Sequence, residues 1–461
     1  MRSVLLILPL VLVAAVASAR DVRSAVPADA GSDVTRALQL EMERLSAAGG
    51  GRLIVGPGHY EVSDLALQSR VELHLERGAR LVGTRDGGVY PSGETYPLNR
   101  PEKRGHAVVR ADGAVDAALT GEGTVDGNGA ASDRRKPNRR LDGPSSDSVA
   151  LNDGRYALLF HRCRNLRIEG ISVRGASFWS CFLRDCEDVV VRKVDVFAHA
   201  NYNNDGLDIS SRNVLVEDCT IDAEDDPLVF KSFEPGIAVS NVVVRNCRLS
   251  SNSALIKFGT ETFGRFGDIR VEDCTCDCRT PSSTIAPHDF PGETKGVRTH
   301  SISGIEVSIV DGGSLENVTI RNIVLGRGIG TPLFVRLGRR HGSALDGGSF
   351  LRDVLIENVR MTEPAANAIA CSISGVPGLR PSGIVLRNID FVFPGADAAA
   401  LGNLMPEGDY EAAFPWPMTF RCALPAYGLY VRNADDVRLE DAVFRLCEGR
   451  SDIRPDVVRA P

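Results

Sequence analysis

A nine-residue motif recurs along most of this chain, and it limits the fold more than any other feature. It opens with Asn or Asp, alternates apolar residues, then adds a polar residue and a small apolar one. The copies read NLRIEGISV from Asn165, DVVVRKVDV from Asp188, NVLVEDCTI from Asn213, NVVVRNCRL from Asn241 and DIRVEDCTC from Asp268. They continue as NVTIRNIVL from Asn317, DVLIENVRM from Asp353, GIVLRNIDF from Gly383 and DVRLEDAVF from Asp436. The first spacings are 23, 25, 28 and 27 residues, and the next, 49, holds two such units. Short strands of period two, with no helix-length segment between them, point to stacked β-coils. A four-stranded propeller blade needs ~40 residues, so a propeller does not fit. Each coil buries its inward face only against its neighbours, at the strand spacing of roughly 4.8 Å. Equivalent positions then form ladders: Cys219, Cys247 and Cys274 share a repeat position, as do Ile171, Val194 and Ile323. The opening Asn or Asp serves the turn. The expected fold is therefore all-β, a single-stranded right-handed parallel β-helix.

A solenoid needs a cap over its first coil. Between Asp33 and Ala48, the residues Val34, Ala37, Leu38, Met42 and Leu45 fall at helical spacing, and Gly49-Gly50-Gly51 ends the run. That segment is the expected N-terminal capping helix. Before it, Arg2, an uncharged run from Val4 to Ala17 and the small residues Ala17-Ser18-Ala19 fit a cleaved signal peptide over 1–19. The run is shorter than the ~20 residues that span a bilayer. The expectation is a secreted or periplasmic protein with one catalytic domain over 20–461, monomeric, and with neither membrane nor nucleic acid as partner. The net charge of −7 leaves no basic footprint for nucleic acid. All 11 cysteines lie between Cys163 and Cys447. Export permits disulfides, and an odd count leaves at least one thiol free. Their repeat positions favour buried stacking over bridging.

Two segments break the repeat: Asn203-Asn204-Asp205-Gly206-Leu207-Asp208, and Glu224-Asp225-Asp226 followed by Pro227 and the run to Lys231-Ser232. Asp205 and Asp225 are 20 residues apart, close to one coil, so they belong on neighbouring coils. Crowded carboxyls raise at least one pKa, which suits glycoside hydrolysis. Solvated turn residues or a calcium site would also account for such a cluster. Adjacent residues of a regular strand face opposite ways, so Asp225 and Asp226 share a site only if the chain bends there. Cys274, Cys276 and Cys278 alternate but lack a paired CxxC or a histidine. His199 precedes NNDGLD closely enough to line a cleft, with a structural role favoured, and His288-Asp289 lies in a Gly/Pro-containing loop able to reach over the site. No metal and no cofactor are expected.

The resemblance is carried by several motifs in a shared order. Gly121-Glu122-Gly123-Thr124-Val125-Asp126-Gly127-Asn128-Gly129 resembles a GxGxIDGxG element, Ser177-Phe178-Trp179 an SPFW-type element, NNDGLD at 203–208 an NTDGxD motif, and Asp225-Asp226 a DD motif. Leu424 to Tyr430 resembles a C-terminal element of bacterial members. Together they are similar to the polygalacturonase-like glycoside hydrolases of family 28. That resemblance implies an inverting glycosidase acting on a polysaccharide or oligosaccharide, pectin-type or related. By the same resemblance Asp225 is the general acid, while Asp205 and Asp226 hold and deprotonate the attacking water. Asn203, Asp208, Lys231, Lys257, Glu261 and Glu306 are the substrate-binding candidates. The family's GHG motif is absent from Ser251–Gly259, and Glu306 and Ser308 stand where its Arg and Lys are expected. A glutamate there repels a galacturonate carboxylate, so a neutral sugar or a different uronate linkage comes into view. A non-catalytic carbohydrate-binding β-helix, or less readily a polysaccharide lyase, are the alternatives.

Overall fold

The computed structural model describes residues 20–84, 106–129, 155–200, 203–282, 298–342, 348–402, 404, 406, 408–420 and 422–461. The signal-peptide segment 1–19, His288-Asp289 and most of the segments 86–115 and 279–302 lie outside these residues. Every pairing between its strands is parallel and links one coil to the next. The repeat's second position makes a continuous column: Leu166, Val189, Val214, Val242, Ile269, Val318, Val354, Ile384 and Val437 are successive partners. All are buried in one core that runs the length of the stack. The fold is the expected parallel β-helix, but the 49 residues from Asp268 to Asn317 form one longer coil and not two, since Ile269 pairs directly with Val318.

The polar positions of the repeat have a backbone reason. Asn165, Asp188, Asn213, Asn241, Asp268, Asn317, Asp353 and Asp436 all take left-handed φ, between 46° and 58°, and Gly383 stands at 63°. Asn, Asp and Gly tolerate that region best. The side chains then bond along the stack: Asn213 Nδ2 donates to Asp188 Oδ1 at 3.0 Å, and Asn241 Nδ2 to Asn213 Oδ1 at 3.0 Å. A second left-handed column runs through Asp218, Asn246, Asp273, Asn322, Asn358, Asn388 and Asp441. There Asn358 donates to Asn322 at 2.9 Å and Asn388 to Asn358 at 2.8 Å. Two turns of the coil thereby carry side-chain ladders along the stack.

The capping helix spans Thr35–Ala47 and buries Leu38, Met42 and Leu45 over the first coil. All 11 cysteines are unbridged, and all but Cys422 and Cys447 are buried. Cys219 and Cys247 sit in neighbouring coils with their thiols turned to backbone carbonyls of Glu217 and Arg245. Stacking, not bridging, is their role. Asn213→Gly should cost about 1–2 kcal/mol in urea unfolding through the lost ladder bonds. Asn213→Ala should cost about 1–2 kcal/mol more, because a β-carbon is strained at that φ; equal losses would remove the left-handed backbone as the reason for the motif.

Candidate functional site

The site forms where two turns of adjacent coils lie one on the other. Asn204 secures the first turn from within. Its Oδ1 accepts the Ala200 N–H at 3.0 Å, and its Nδ2 donates to the carbonyls of Phe178 and, at 3.2 Å, Ala176. The next turn bends at Glu224–Asp225 and again at Pro227. Gly206 N–H donates to the Asp226 carbonyl at 2.9 Å, and Leu207 N–H to that of Pro227 at 3.0 Å. Only glycine fits between the two aspartates of the first turn. A β-carbon on Gly206 would stand 2.3 Å from Ile221 Cγ2 and 2.7 Å from the Pro227 carbonyl. Leu207 is partnered with Leu228, so Asp226, not Asp225, is the in-register neighbour of Asp205.

The bend brings all three carboxyls together. Asp205, Asp225 and Asp226 each have an oxygen within 4.8 Å of the others. Asp205 and Asp226 are buried, while Asp225 keeps partial contact with solvent. Three carboxylates at this spacing are chemically able to hold a cation, but two ammonium groups already meet the cluster. Lys257 Nζ contacts Asp226 Oδ2 at 2.9 Å, and Ala254 N–H donates to Asp226 Oδ1 at 3.0 Å. Lys231 Nζ lies 3.2 Å from Glu261, 3.5 Å from Asp205 and 3.6 Å from Asp208. Lys231 and Lys257 were expected as groups open to a substrate; both are buried and held by carboxylates instead. Asn203 Nδ2 donates to Asp225 Oδ2 at 3.4 Å. Glu306 is the strand partner of Lys257 on the following coil and accepts the Ser303 hydroxyl at 3.0 Å. Ser308, two residues on, is also buried.

Burial drives the titration of this cluster. It pushes Asp205 well above the ordinary carboxyl range, with Asp208 adding repulsion and Lys231 opposing. Asp226 is raised for the same reason, with Lys257 opposing and Asp225 assisting. Burial works against the charge on both lysines, but the carboxylates around them prevail and hold each ammonium above its usual pKa. Glu306 is lifted to about 7 by burial, against the pull of Lys257. Such groups share protons as a unit.

Two contributors were not anticipated in these roles. The Trp179 ring lies under Lys231 Nζ, 4.0 Å from ring centroid to nitrogen, and Trp416 lies 5.6 Å from Lys257 Nζ. They are the only tryptophans in the chain, and that rarity is the one signal the sequence offered. His199 is tied to Asp222 at 2.9 Å, and Asp222 accepts Thr280 Oγ1 at 2.7 Å, which makes a structural clasp. Cys274, Cys276 and Cys278 are buried in the stack.

Comparison with known proteins agrees with this fold. The family described as Glycosyl hydrolases family 28 matches residues 94–257, which include both aspartate turns. A "Probable polygalacturonase" of Vitis vinifera is 24% identical over 76% of this chain and 68% of its own length. A "Probable endo-xylogalacturonan hydrolase A" of Emericella nidulans is 27% identical over 55% of this chain and 60% of its own. Among solved structures, a family 28 exopolygalacturonase of Yersinia enterocolitica superposes with a TM-score of 0.66 at 17% identity, over 95% of this chain and 78% of its own.

The protonated form of Glu306 should leave a trace in stability. Its folded pKa of about 7 exceeds the ordinary 4.5. The folded state therefore holds that proton more tightly than the unfolded one. The resulting stabilisation is complete below pH 4.5 and is lost as pH rises through about 7. Glu306→Gln should flatten that part of the stability-against-pH curve; a slope between pH 4.5 and 7 unchanged by the substitution would rule the titration out.

Proposed function

We propose that this protein is a polygalacturonase-like glycosidase of glycosyl hydrolase family 28 and that it is an inverting enzyme. Its substrate is a polysaccharide or oligosaccharide of the pectin type. The observation that carries the reading is the meeting of Asp205, Asp225 and Asp226 within 4.8 Å at a bend between adjacent coils. The segment 1–19 would direct the chain to a secreted or periplasmic location, and residues 20–461 would act as one catalytic domain in a monomer.

Asp225 takes the role of general acid because it alone of the three reaches solvent. Its proton goes to the glycosidic oxygen as the bond to the anomeric carbon breaks. Water attacks that carbon from the opposite face and passes a proton to the Asp205–Asp226 pair. One water donating to two oxygens at ~2.8 Å and a tetrahedral angle bridges about 4.5 Å, within the limit these carboxyls set. Nearest oxygens at this distance are tighter than the ~6.5–9.5 Å between carboxyl groups usual for inversion, and nearer the ~5–5.5 Å of retaining enzymes. The hydrogen bonding favours inversion even so. Asp226 has one oxygen on Lys257 and the other on the Ala254 N–H, which disfavours it as a nucleophile. Among the described residues neither oxygen of Asp205 accepts a hydrogen bond, which leaves its ionised form able to take a proton from water.

The test is a screen of purified protein against pectic and neutral polysaccharides, reading new reducing ends together with the ultraviolet absorbance of unsaturated uronates. Reducing ends without that absorbance, lowered about 10²–10⁴-fold by Asp225→Asn, are expected. Unsaturated product would instead identify a lyase. Proton NMR of the first-formed product should show the inverted anomer, and a retained anomer would falsify the water-bridged arrangement.

A further inference from the structure

The two ammonium groups of the site are already engaged by its own carboxyls. Lys231 is enclosed by Glu261, Asp205 and Asp208, with the Trp179 ring on its other side. Lys257 is engaged by Asp226 at 2.9 Å, and its partner across the strand pairing is Glu306. Among the described residues, Asp205, Asp208, Asp225, Asp226, Glu261 and Glu306 thus outnumber the ammonium groups of the cluster, Lys231 and Lys257. One Glu306 oxygen accepts Ser303, whereas the other, Oε1, is buried and accepts no hydrogen bond. A buried carboxyl oxygen left without a donor points to a missing partner that brings one. At the Lys257 end of the cluster the Trp416 ring lies 5.6 Å from Lys257 Nζ, and its centroid is 5.0 Å from that of the 36% exposed Phe414.

We infer that the sugar ring that binds over Lys257 and Glu306 is uncharged, a neutral glycosyl unit whose hydroxyl meets Glu306 Oε1 and whose C–H face packs on Trp416. The inference rests on the reading of the aspartate cluster as the bond-cleaving centre. A hydroxyl donates to a carboxylate oxygen and satisfies it. Above about pH 7, where Glu306 is ionised, a substrate carboxylate in the same place brings only acceptors, and like charges crowded at a binding site are strongly rejected. An apolar ring face with a few directional polar groups is also how neutral ligands are commonly held.

The experiment uses the full chain and matched pairs of pectic polysaccharides, each native and carboxyl-reduced, with kcat/KM measured for both members above pH 7, where Glu306 is ionised. The parent should prefer the reduced member of a cleaved pair by on the order of a hundredfold. Glu306→Gln should narrow that ratio by raising activity on the native member, and Trp416→Ala should raise KM on the reduced one. Preference of the parent for the uronate polymer overturns the inference and leaves the glycosidase reading intact. A ratio unaffected by Glu306→Gln, in a variant with parental circular dichroism, overturns it too. Silence on both members of every pair removes the glycosidase reading, and this inference with it.

Discussion

In-register parallel stacking is the constraint on which the rest of this molecule depends. A coil's backbone donors and acceptors are met only by the coils above and below it. A residue's neighbour is therefore the residue one coil away in sequence. That rule builds the core column from Leu166 to Val437. The same rule builds the site. Asp208, Val229, Lys257 and Glu306 are successive partners along one face, so acid and base groups meet without any long-range folding back. The irregularities are local: a bend at Glu224–Pro227, and a register shift between Phe230 and Ser232 that accommodates Glu261.

Charge neutralisation in the interior follows from that geometry. An isolated buried carboxylate would pick up a proton or destabilise the fold. Here each lysine arrives on the coil that follows an aspartate, and their mutual attraction offsets much of the loss of water. Removing one member of such a buried pair typically costs about 3–5 kcal/mol, because the other is left alone. The site is consequently rigid in its charge pattern, with Asp225 as its partly solvated edge.

Much of the architecture was legible in the sequence because a solenoid repeats its instructions. The Asn and Asp that open each motif are where the backbone turns left-handed, and the alternating apolar residues are the core columns. The second turn position, Asp218 to Asp441, was visible as a polar residue but not as a backbone requirement. The aspartate cluster followed from one-coil spacing, though the pairing of Asp205 with Asp226 depends on turn geometry that spacing does not encode. Burial of Lys231 and Lys257 escaped notice, since lysines are ordinarily solvated. Trp416 escaped entirely, because it comes from a loop about 160 residues beyond Lys257 and obeys no repeat. Long-range loop contacts carry no periodic signal, so no motif pattern could have predicted this one.

The placement of the two tryptophans gives the protein an optical property. Trp179 lies beneath one ammonium group and Trp416 beside the other. Tyrosine aside, the near-ultraviolet emission of the folded chain arises from the two ends of the charge cluster and from nowhere else. A molecule that settles there alters the field and polarity around one indole or both. The chain thus carries a fluorescent gauge of occupancy, built from its own residues, whose signal comes only from the site.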